Sequence, residues 1–312
     1  MIIKKPSFWD LSKPNFISDF LLPFTFPILL RNFFLTFFKK KPSSNIKTLC
    51  IGNIYLGGTG KTPLTIKIYE ILNKLKYKTA TVKKDYSNQK DEQLLLDKKT
   101  RLIIKKSRKE AVQQGIKENF DFLIFDDGLQ EINLEYDFKI ACFKTKQWIG
   151  NGRLIPAGPL RENLSSLKRF DAVFLNGDIK KEIKFEKEIK KINPKIKIFK
   201  TFYKISNKKK FNLNLKYLIF SGIGNPIDFK EILLKKKFKI SQEIIFPDHY
   251  NYKDYEFEYI IDNATNKKLK ILTTEKDYMK VPTKYRNKID FISIDLIIEK
   301  ENELIDIFKK LK

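Results

Sequence analysis

A glycine-rich stretch near the start of the chain has the residue types of a phosphate-binding loop. It reads GGTGKTP over residues 57–63, between the apolar run KTLCIGN and an amphipathic run. Its glycines allow successive backbone N–H groups to converge on phosphate oxygens, and the helix that follows favours negative charge at its N-terminus. Tyr55 stands where the strict P-loop pattern has its first glycine. The predicted nucleotide-binding residues are Gly57, Gly58, Thr59, Gly60, Lys61 and Thr62.

Two side chains of this loop and a second motif supply the groups that phosphoryl chemistry needs. Lys61 would bridge the β- and γ-phosphates of ATP, and the Thr62 hydroxyl would hold Mg²⁺. The run FLIFDDGLQ delivers Asp126 and Asp127 to the carboxyl end of an apolar strand, where ligands of parallel sheets gather. One of these carboxylates is expected to reach Mg²⁺ directly or through water. Without the glycine loop, an ordinary Asp-Gly turn would explain the same residues.

The run NGRLIPAGPLRE, residues 151–162, has no helical or strand periodicity and carries two arginines. A rigid loop bearing Arg153, Arg161 and Glu162 would clamp phosphate and metal. Composition alone is equally compatible with a plain surface loop.

Two further positions carry ionisable side chains whose roles the residues alone leave open. Asp91 and Glu92 precede an apolar run, where acidic residues also favour a helix N-terminus. His249 is the only histidine in the chain, and its type leaves structural and catalytic roles equally open. If it is catalytic, Asp248 or a distant carboxylate would orient it as a proton acceptor.

The elements that must position these residues alternate between strands and helices after Pro42. This pattern predicts an α/β fold of two α/β/α domains, the first a P-loop NTPase-like, mostly parallel sheet and the second a smaller Rossmann-like unit. A lysine-rich stretch near residue 210 is interpreted as the linker. The predicted division is an N-terminal segment 1–41, a P-loop domain 42–204 and a smaller C-terminal α/β domain 205–312.

Composition limits the possible partners. The net charge of +26 is typical of proteins that meet polyanions, but only seven of the 63 basic residues are Arg, so the charge is interpreted as a diffuse lysine surface. No nucleic-acid partner is therefore expected. Cys50 and Cys142 lie in apolar runs without metal-ligand spacing, which predicts buried strand residues in a reducing compartment.

The N-terminal segment is rich in Phe and contains an uncharged run from Phe20 to Leu30 that is broken by two prolines. Eleven residues are too few for a spanning helix, which needs about 20. Together with the lysine cluster at residues 39–41, the segment favours contact with an anionic membrane surface. The alternative is a helix packed on its own domain.

Seven motifs occur in the order seen in the tetraacyldisaccharide 4′-kinase family, and the chain resembles that family over nearly its whole length. They are GNIYLGGTGKTP, the DE pair at 91–92, FDDGLQ, NGRLIPAGPLRE, GIGNPIDF, FPDHYNY and TTEKDYMK. The resemblance implies transfer of the ATP γ-phosphoryl group to the 4′-hydroxyl of a tetraacylated glucosamine disaccharide 1-phosphate, a lipid A precursor. It also implies a location at the cytoplasmic face of a bacterial inner membrane.

The same resemblance implies roles for individual residues. Arg161 would act on the transferring charge, with Glu162 near the metal, while Asp91 and His249 would together accept or relay the hydroxyl proton. Since the predicted division places Asp91 in the first domain and His249 in the second, this pairing predicts domain closure.

Two departures from the family pattern concern the substrate side. The chain reads KKDY at residues 83–86 where the family usually has Ser-Arg-Gly-Tyr, and Glu131 replaces a common histidine. The main alternative function is a P-loop switch ATPase of the partition or metallochaperone type. Leu56 argues against it, because partition ATPases carry a lysine at that position.

Overall fold

The computed structural model describes residues 5–34, 45–85, 90–131, 134–177 and 179–312. It is a mixed α/β protein, as the alternation of strands and helices predicts, and it divides into two compact units. The larger unit holds the described residues up to 85 together with 100–202 and 296–312. The smaller unit holds residues 90–99 and 203–295.

The larger unit is built on an eight-stranded sheet. Seven of its strands come from the first two thirds of the chain: β1 (Lys47–Gly52), β2 (Thr79–Lys84), β3 (Leu102–Lys105), β4 (Phe122–Asp126), β5 (Phe138–Lys144), β6 (Ala172–Asn176) and β7 (Lys197–Ile205). Strands β1 and β4 are parallel neighbours in which Ile51 is paired with Asp126. The two strands therefore end at the same edge, which brings the glycine loop and the acidic pair together.

The smaller unit has a four-stranded parallel sheet in the order β11-β10-β8-β9. Its strands are β8 (Lys216–Ser221), β9 (Lys239–Ile245), β10 (Lys270–Thr274) and β11 (Ile289–Ile292). The last strand of the chain, β12 (Ile294–Ile298), belongs to the large sheet, whose order is β12-β7-β6-β5-β1-β4-β2-β3.

Ten α-helices accompany the strands in the described part of the chain. They are α1 (Phe16–Phe20), α2 (Phe26–Phe34), α3 (Lys61–Lys74), α4 (Lys90–Lys99), α5 (Arg108–Lys117), α6 (Ile179–Ile192), α7 (Pro226–Lys235), α8 (Asp254–Asn266), α9 (Glu275–Tyr278) and α10 (Glu301–Leu311). Helix α3 follows the glycine loop and buries Leu64, Ile68, Ile71 and Leu72, the apolar stripe expected from its sequence.

The compact units differ from the predicted division at three places, and the first is the N-terminal segment, whose described residues 5–34 belong to the larger unit. Helix α4 belongs to the smaller unit, where Lys99 forms an ion pair with Glu275 at 2.6 Å. Helix α10 belongs to the larger unit, where Phe308 packs against Phe138 with ring centroids 6.1 Å apart. Both helices therefore belong to a different unit from the one predicted. The period of the apolar residues indicates a helix but does not indicate which sheet the helix packs against.

The residues of the run DFISIDL divide between the two strands β11 and β12, which lie in different sheets. The interruption falls at Ser293, whose backbone groups bond to Asn207 and Ser206. The sequence carries a trace of this change of sheet, because the alternation of apolar residues shifts phase between the adjacent Phe291 and Ile292.

Candidate functional site

The glycine loop has the backbone conformation that its sequence predicts. Gly60 precedes helix α3 with φ of 89°, and Gly57 has φ of 138°, both in the region that favours glycine. Among the described residues, the Thr59 hydroxyl is a buried polar atom without a hydrogen-bond partner. A buried group of this kind is satisfied when a polar ligand binds, which fits a phosphate-binding loop.

Asp126 lies fully buried beneath the loop and receives two hydrogen bonds on one oxygen. The Thr62 hydroxyl donates to Asp126 Oδ2 at 3.1 Å, and the Lys83 ammonium donates to the same oxygen at 2.8 Å. The Lys83 side chain is only 2% exposed. Sequence reasoning treated Lys83 as a substrate-side departure and missed this contact, although its position on a buried strand was a signal.

Asp127 directly follows strand β4 in a left-handed conformation, with φ of 62°, and lies between two basic side chains. Lys61 Nζ is 3.7 Å from its carboxylate, and Arg161 Nη1 is 3.0 Å from it. Burial opposes ionisation, but the charges of Lys61, Arg161 and Lys83 outweigh it and lower the pKa of Asp127 to about 2. Asp127 is therefore a carboxylate at neutral pH.

Glu162 is buried at the end of the 151–162 loop, and both of its carboxylate oxygens are engaged. Gln130 Nε2 donates to Oε1 at 3.0 Å, and Arg169 contacts Oε2. The backbone N–H of Arg161 donates to the Ile54 carbonyl at 2.7 Å, which fixes this loop beside β1. Sequence reasoning missed both partners. Gln130 lies in the FLIFDDGLQ motif but its neutral amide was not singled out, and Arg169 lies outside every motif.

The other arginine of this loop has a different partner. Arg153 Nη2 lies 3.2 Å from Asp19 in α1. Glu131, the second departure from the family pattern, forms an ion pair with Arg108 at 2.7 Å. Tyr86, from the first departure, lies outside the described residues.

The predicted metal ligands supply hard oxygen donors: Thr62, Asp126, Asp127 and Glu162. Within the described ranges, no group of three or more His, Cys, Asp or Glu side chains could hold a metal ion by itself. Mg²⁺ usually takes one or two protein carboxylates and completes its shell with phosphate and water oxygens. The residues present therefore fit Mg²⁺ that arrives with a nucleotide.

The smaller unit brings Asp91 and His249 into direct contact. Asp91 lies in the first turn of α4 and is 2% exposed. Its two oxygens lie 2.9 and 3.1 Å from His249 Nδ1. Both residues belong to the same compact unit, so their contact requires no domain closure, contrary to the expectation from sequence. The expectation was wrong because α4 packs with α9.

Two lysines that sequence reasoning did not single out also face Asp91. Lys280 Nζ lies 3.0 Å and Lys276 Nζ 3.4 Å from Asp91 Oδ2. Burial raises the pKa of Asp91, but the His249 hydrogen bond and the lysine charges outweigh burial and hold that pKa below its usual range. An ionised Asp91 can therefore accept the Nδ1–H of His249, which leaves Nε2 for another partner.

The backbone of His249 is fixed independently of its ring. The residue has φ of 59°, and its N–H donates to the Gly222 carbonyl at 3.2 Å. The N–H of Gly222 donates in turn to the buried Asp277 at 3.1 Å. This network holds the imidazole beside Asp91.

The N-terminal segment is anchored on the 151–162 loop while its aromatic side chains face solvent. Trp9 Nε1 donates to the Pro156 carbonyl at 3.0 Å, and Ser18 Oγ donates to the Ala157 carbonyl at 2.7 Å. None of the helices in the described ranges has the length and apolar character required to span a bilayer. The lysine cluster at 39–41 lies outside the described residues. Five phenylalanines are between 59 and 84% exposed: Phe16, Phe20, Phe24, Phe26 and Phe33.

Comparison with known proteins gives full-length matches. The family model for tetraacyldisaccharide-1-P 4′-kinase matches residues 20–311. A tetraacyldisaccharide 4′-kinase from Pelagibacter ubique is 45% identical over 100% of this chain and 99% of its own length. The corresponding protein from Rickettsia canadensis is 32% identical over 98% of this chain and 97% of its own.

A solved structure shares the fold. LpxK from Aquifex aeolicus, crystallised in complex with ATP, superposes with a TM-score of 0.70 and covers 95% of this chain and 99% of its own. Its sequence identity to this chain is 22%.

Proposed function

This chain belongs to the tetraacyldisaccharide-1-P 4′-kinase family, and from that premise we propose that it transfers the γ-phosphoryl group of ATP to the 4′-hydroxyl of a tetraacyl-glucosamine disaccharide 1-phosphate. The whole-length family relationship carries this proposal. The glycine loop and the Asp91–His249 pair add the two kinds of group that the reaction needs, phosphate binding and proton acceptance. The full-length match disfavours the alternative switch ATPase.

The larger unit would hold the nucleotide. The loop backbone around Gly58 and Gly60 would donate to phosphate oxygens, and the Lys61 ammonium would compensate their charge. Mg²⁺, when bound by Thr62 and the neighbouring carboxylates, would neutralise charge that develops on the phosphates. Arg161, which donates to Asp127 and Gln130, would stabilise charge on the transferred group.

The smaller unit would supply the base. His249 Nε2 would take the proton from the 4′-hydroxyl as its oxygen forms a bond to phosphorus and the bond to the ADP oxygen breaks. Ionised Asp91 would hold the Nδ1–H and stabilise the imidazolium that results. Lys276 and Lys280 keep Asp91 a carboxylate, so the proton stays on the imidazole.

The exposed aromatic side chains support a peripheral position on a membrane surface, and the family relationship suggests the cytoplasmic face of the inner membrane as its location. A contiguous set of exposed Phe residues in α1, α2 and the turn between them is costly in water unless a bilayer or a protein covers it. Because this segment is anchored on the loop that carries Arg161 and Glu162, insertion of the Phe side chains would bring that loop close to a lipid substrate.

The proposal is tested with the purified full chain in detergent, γ-labelled ATP, Mg²⁺ and the tetraacyl disaccharide 1-phosphate. Label should appear in the lipid, and a Lys61→Ala variant should transfer far less. Release of labelled inorganic phosphate without lipid labelling would instead indicate the switch ATPase.

A further inference from the structure

Lys83 occupies a position that the expected nucleotide site does not explain. It is the fifth residue of β2, and its side chain is 2% exposed against an Asp126 side chain that is 0% exposed. The next residue, Lys84, is half-buried. Successive strand residues point to opposite faces, so the pair KK places one lysine in the site and the other away from it.

The Lys83 hydrogen bond occupies the Asp126 oxygen that a metal ion would need. A carboxylate oxygen has about two lone-pair sites, and Asp126 Oδ2 already accepts from Lys83 at 2.8 Å and from Thr62 at 3.1 Å. The other oxygen faces the Thr65 hydroxyl at 3.5 Å. A divalent cation that bound Asp126 Oδ2 would have to displace the Lys83 ammonium.

The charge of Lys83 also affects Asp127, the residue that follows its partner Asp126. It contributes with Lys61 and Arg161 to the lowered pKa of Asp127. A buried ammonium is costly unless it is paired, which restricts Lys83 to the acidic groups of this site or to an anion that enters it.

We propose that Lys83 is a built-in cation of the phosphate site, which holds Asp126 when metal is absent and competes with Mg²⁺ for that carboxylate. This inference rests on the proposed nucleotide function. Its consequence is that ATP binding in this chain depends less on Mg²⁺ than the motif alone would predict, because part of the compensating charge is supplied by a side chain.

The test is a calorimetric measurement of ATP affinity in excess Mg²⁺ and in EDTA, expressed as the dissociation constant in EDTA divided by that in Mg²⁺. Removing the ammonium in Lys83→Met should raise this ratio about tenfold, the size of effect expected when one nearby charge is lost. Lys84→Met is the matched control and should leave the ratio unchanged. An equal ratio in Lys83→Met and the wild type would overturn the inference.

A second variant guards against misfolding. Lys83→Gln keeps a hydrogen-bond donor for Asp126 and removes only the charge, so it should raise the ratio in the same direction. A wild type that binds no ATP under either condition would overturn both this inference and the proposed function. If the wild type phosphorylates the lipid but Lys83→Met has the same ratio of dissociation constants as the wild type, this inference alone is overturned.

Discussion

At the scale of residues, the candidate carboxylates of each unit are surrounded by basic side chains. Asp91 accepts from His249 and faces Lys276 and Lys280, while Asp127 lies between Lys61 and Arg161. Most of the acidic residues could be predicted from the motifs, because phosphate loops and aspartates at strand ends are local sequence patterns. The lysine partners of Asp91 were missed because a contact between residues far apart in the chain has no local signature.

His249→Ala should reduce the turnover number by roughly 10²–10⁴-fold, the usual loss on removal of a general base. ATP affinity should stay within about twofold, because the hydrogen bonds that hold the glycine loop, such as Asn53 to the Gly57 carbonyl, lie within the larger unit. The control is Asn251→Ala in the same loop as His249, which should retain wild-type turnover. Equal rates in the wild type and His249→Ala, measured by label transfer to lipid, would remove His249 from the mechanism.

Asp91 should also give the fold a pH-dependent stability. Its pKa in the folded chain lies below the unfolded value of about 3.9, so the ionised group stabilises the native state above that pH. The advantage of the wild type over Asp91→Asn should be full at neutral pH and should be lost as the pH falls through the lower folded-state pKa. Urea unfolding of both proteins across this range measures it, and a difference that does not change with pH would contradict the assignment.

At the scale of elements, the strands and α3 were predictable because their apolar residues repeat with the period of one structure. The run KTLCIGN forms β1, FLIFD forms β4, and both cysteines are buried and free, as expected. The assignments of α4, β12 and α10 to a unit could not be read from sequence. They depend on side-chain contacts such as Lys99 with Glu275, which join distant parts of the chain.

The exposed phenylalanines of helix α1 allow the proposed membrane contact to be tested. Phe16→Ser with Phe20→Ser should lower the partition of the protein onto anionic vesicles by more than tenfold, since burial of each large apolar side chain contributes about 1.5–3 kcal/mol. Vesicle sedimentation measures this change. An Ile183→Ser with Phe202→Ser variant, which removes two exposed apolar residues elsewhere, is the control and should bind like the wild type. Equal binding by the α1 variant would place the membrane contact elsewhere.

At the scale of the whole molecule, the order of motifs is more informative than composition. The net charge of +26 is compatible with several partners and selects none of them. Seven motifs spread over nearly the whole chain indicate one family, and the family match over residues 20–311 agrees with them. The two units of the fold each carry one group of predicted functional residues, the predicted phosphate-binding residues in the larger and the Asp91–His249 pair in the smaller.

The most direct test of the proposed phosphoryl transfer is to determine the position of the new phosphate on the lipid product. The purified chain is incubated with ATP, Mg²⁺ and tetraacyl disaccharide 1-phosphate, and the product is analysed by proton–phosphorus correlation NMR. The proposed 4′-kinase activity predicts a second phosphate coupled to the proton at the 4′ carbon, formed by the wild type and greatly reduced in His249→Ala. A phosphate at any other position, or a lipid that gains none, would contradict it.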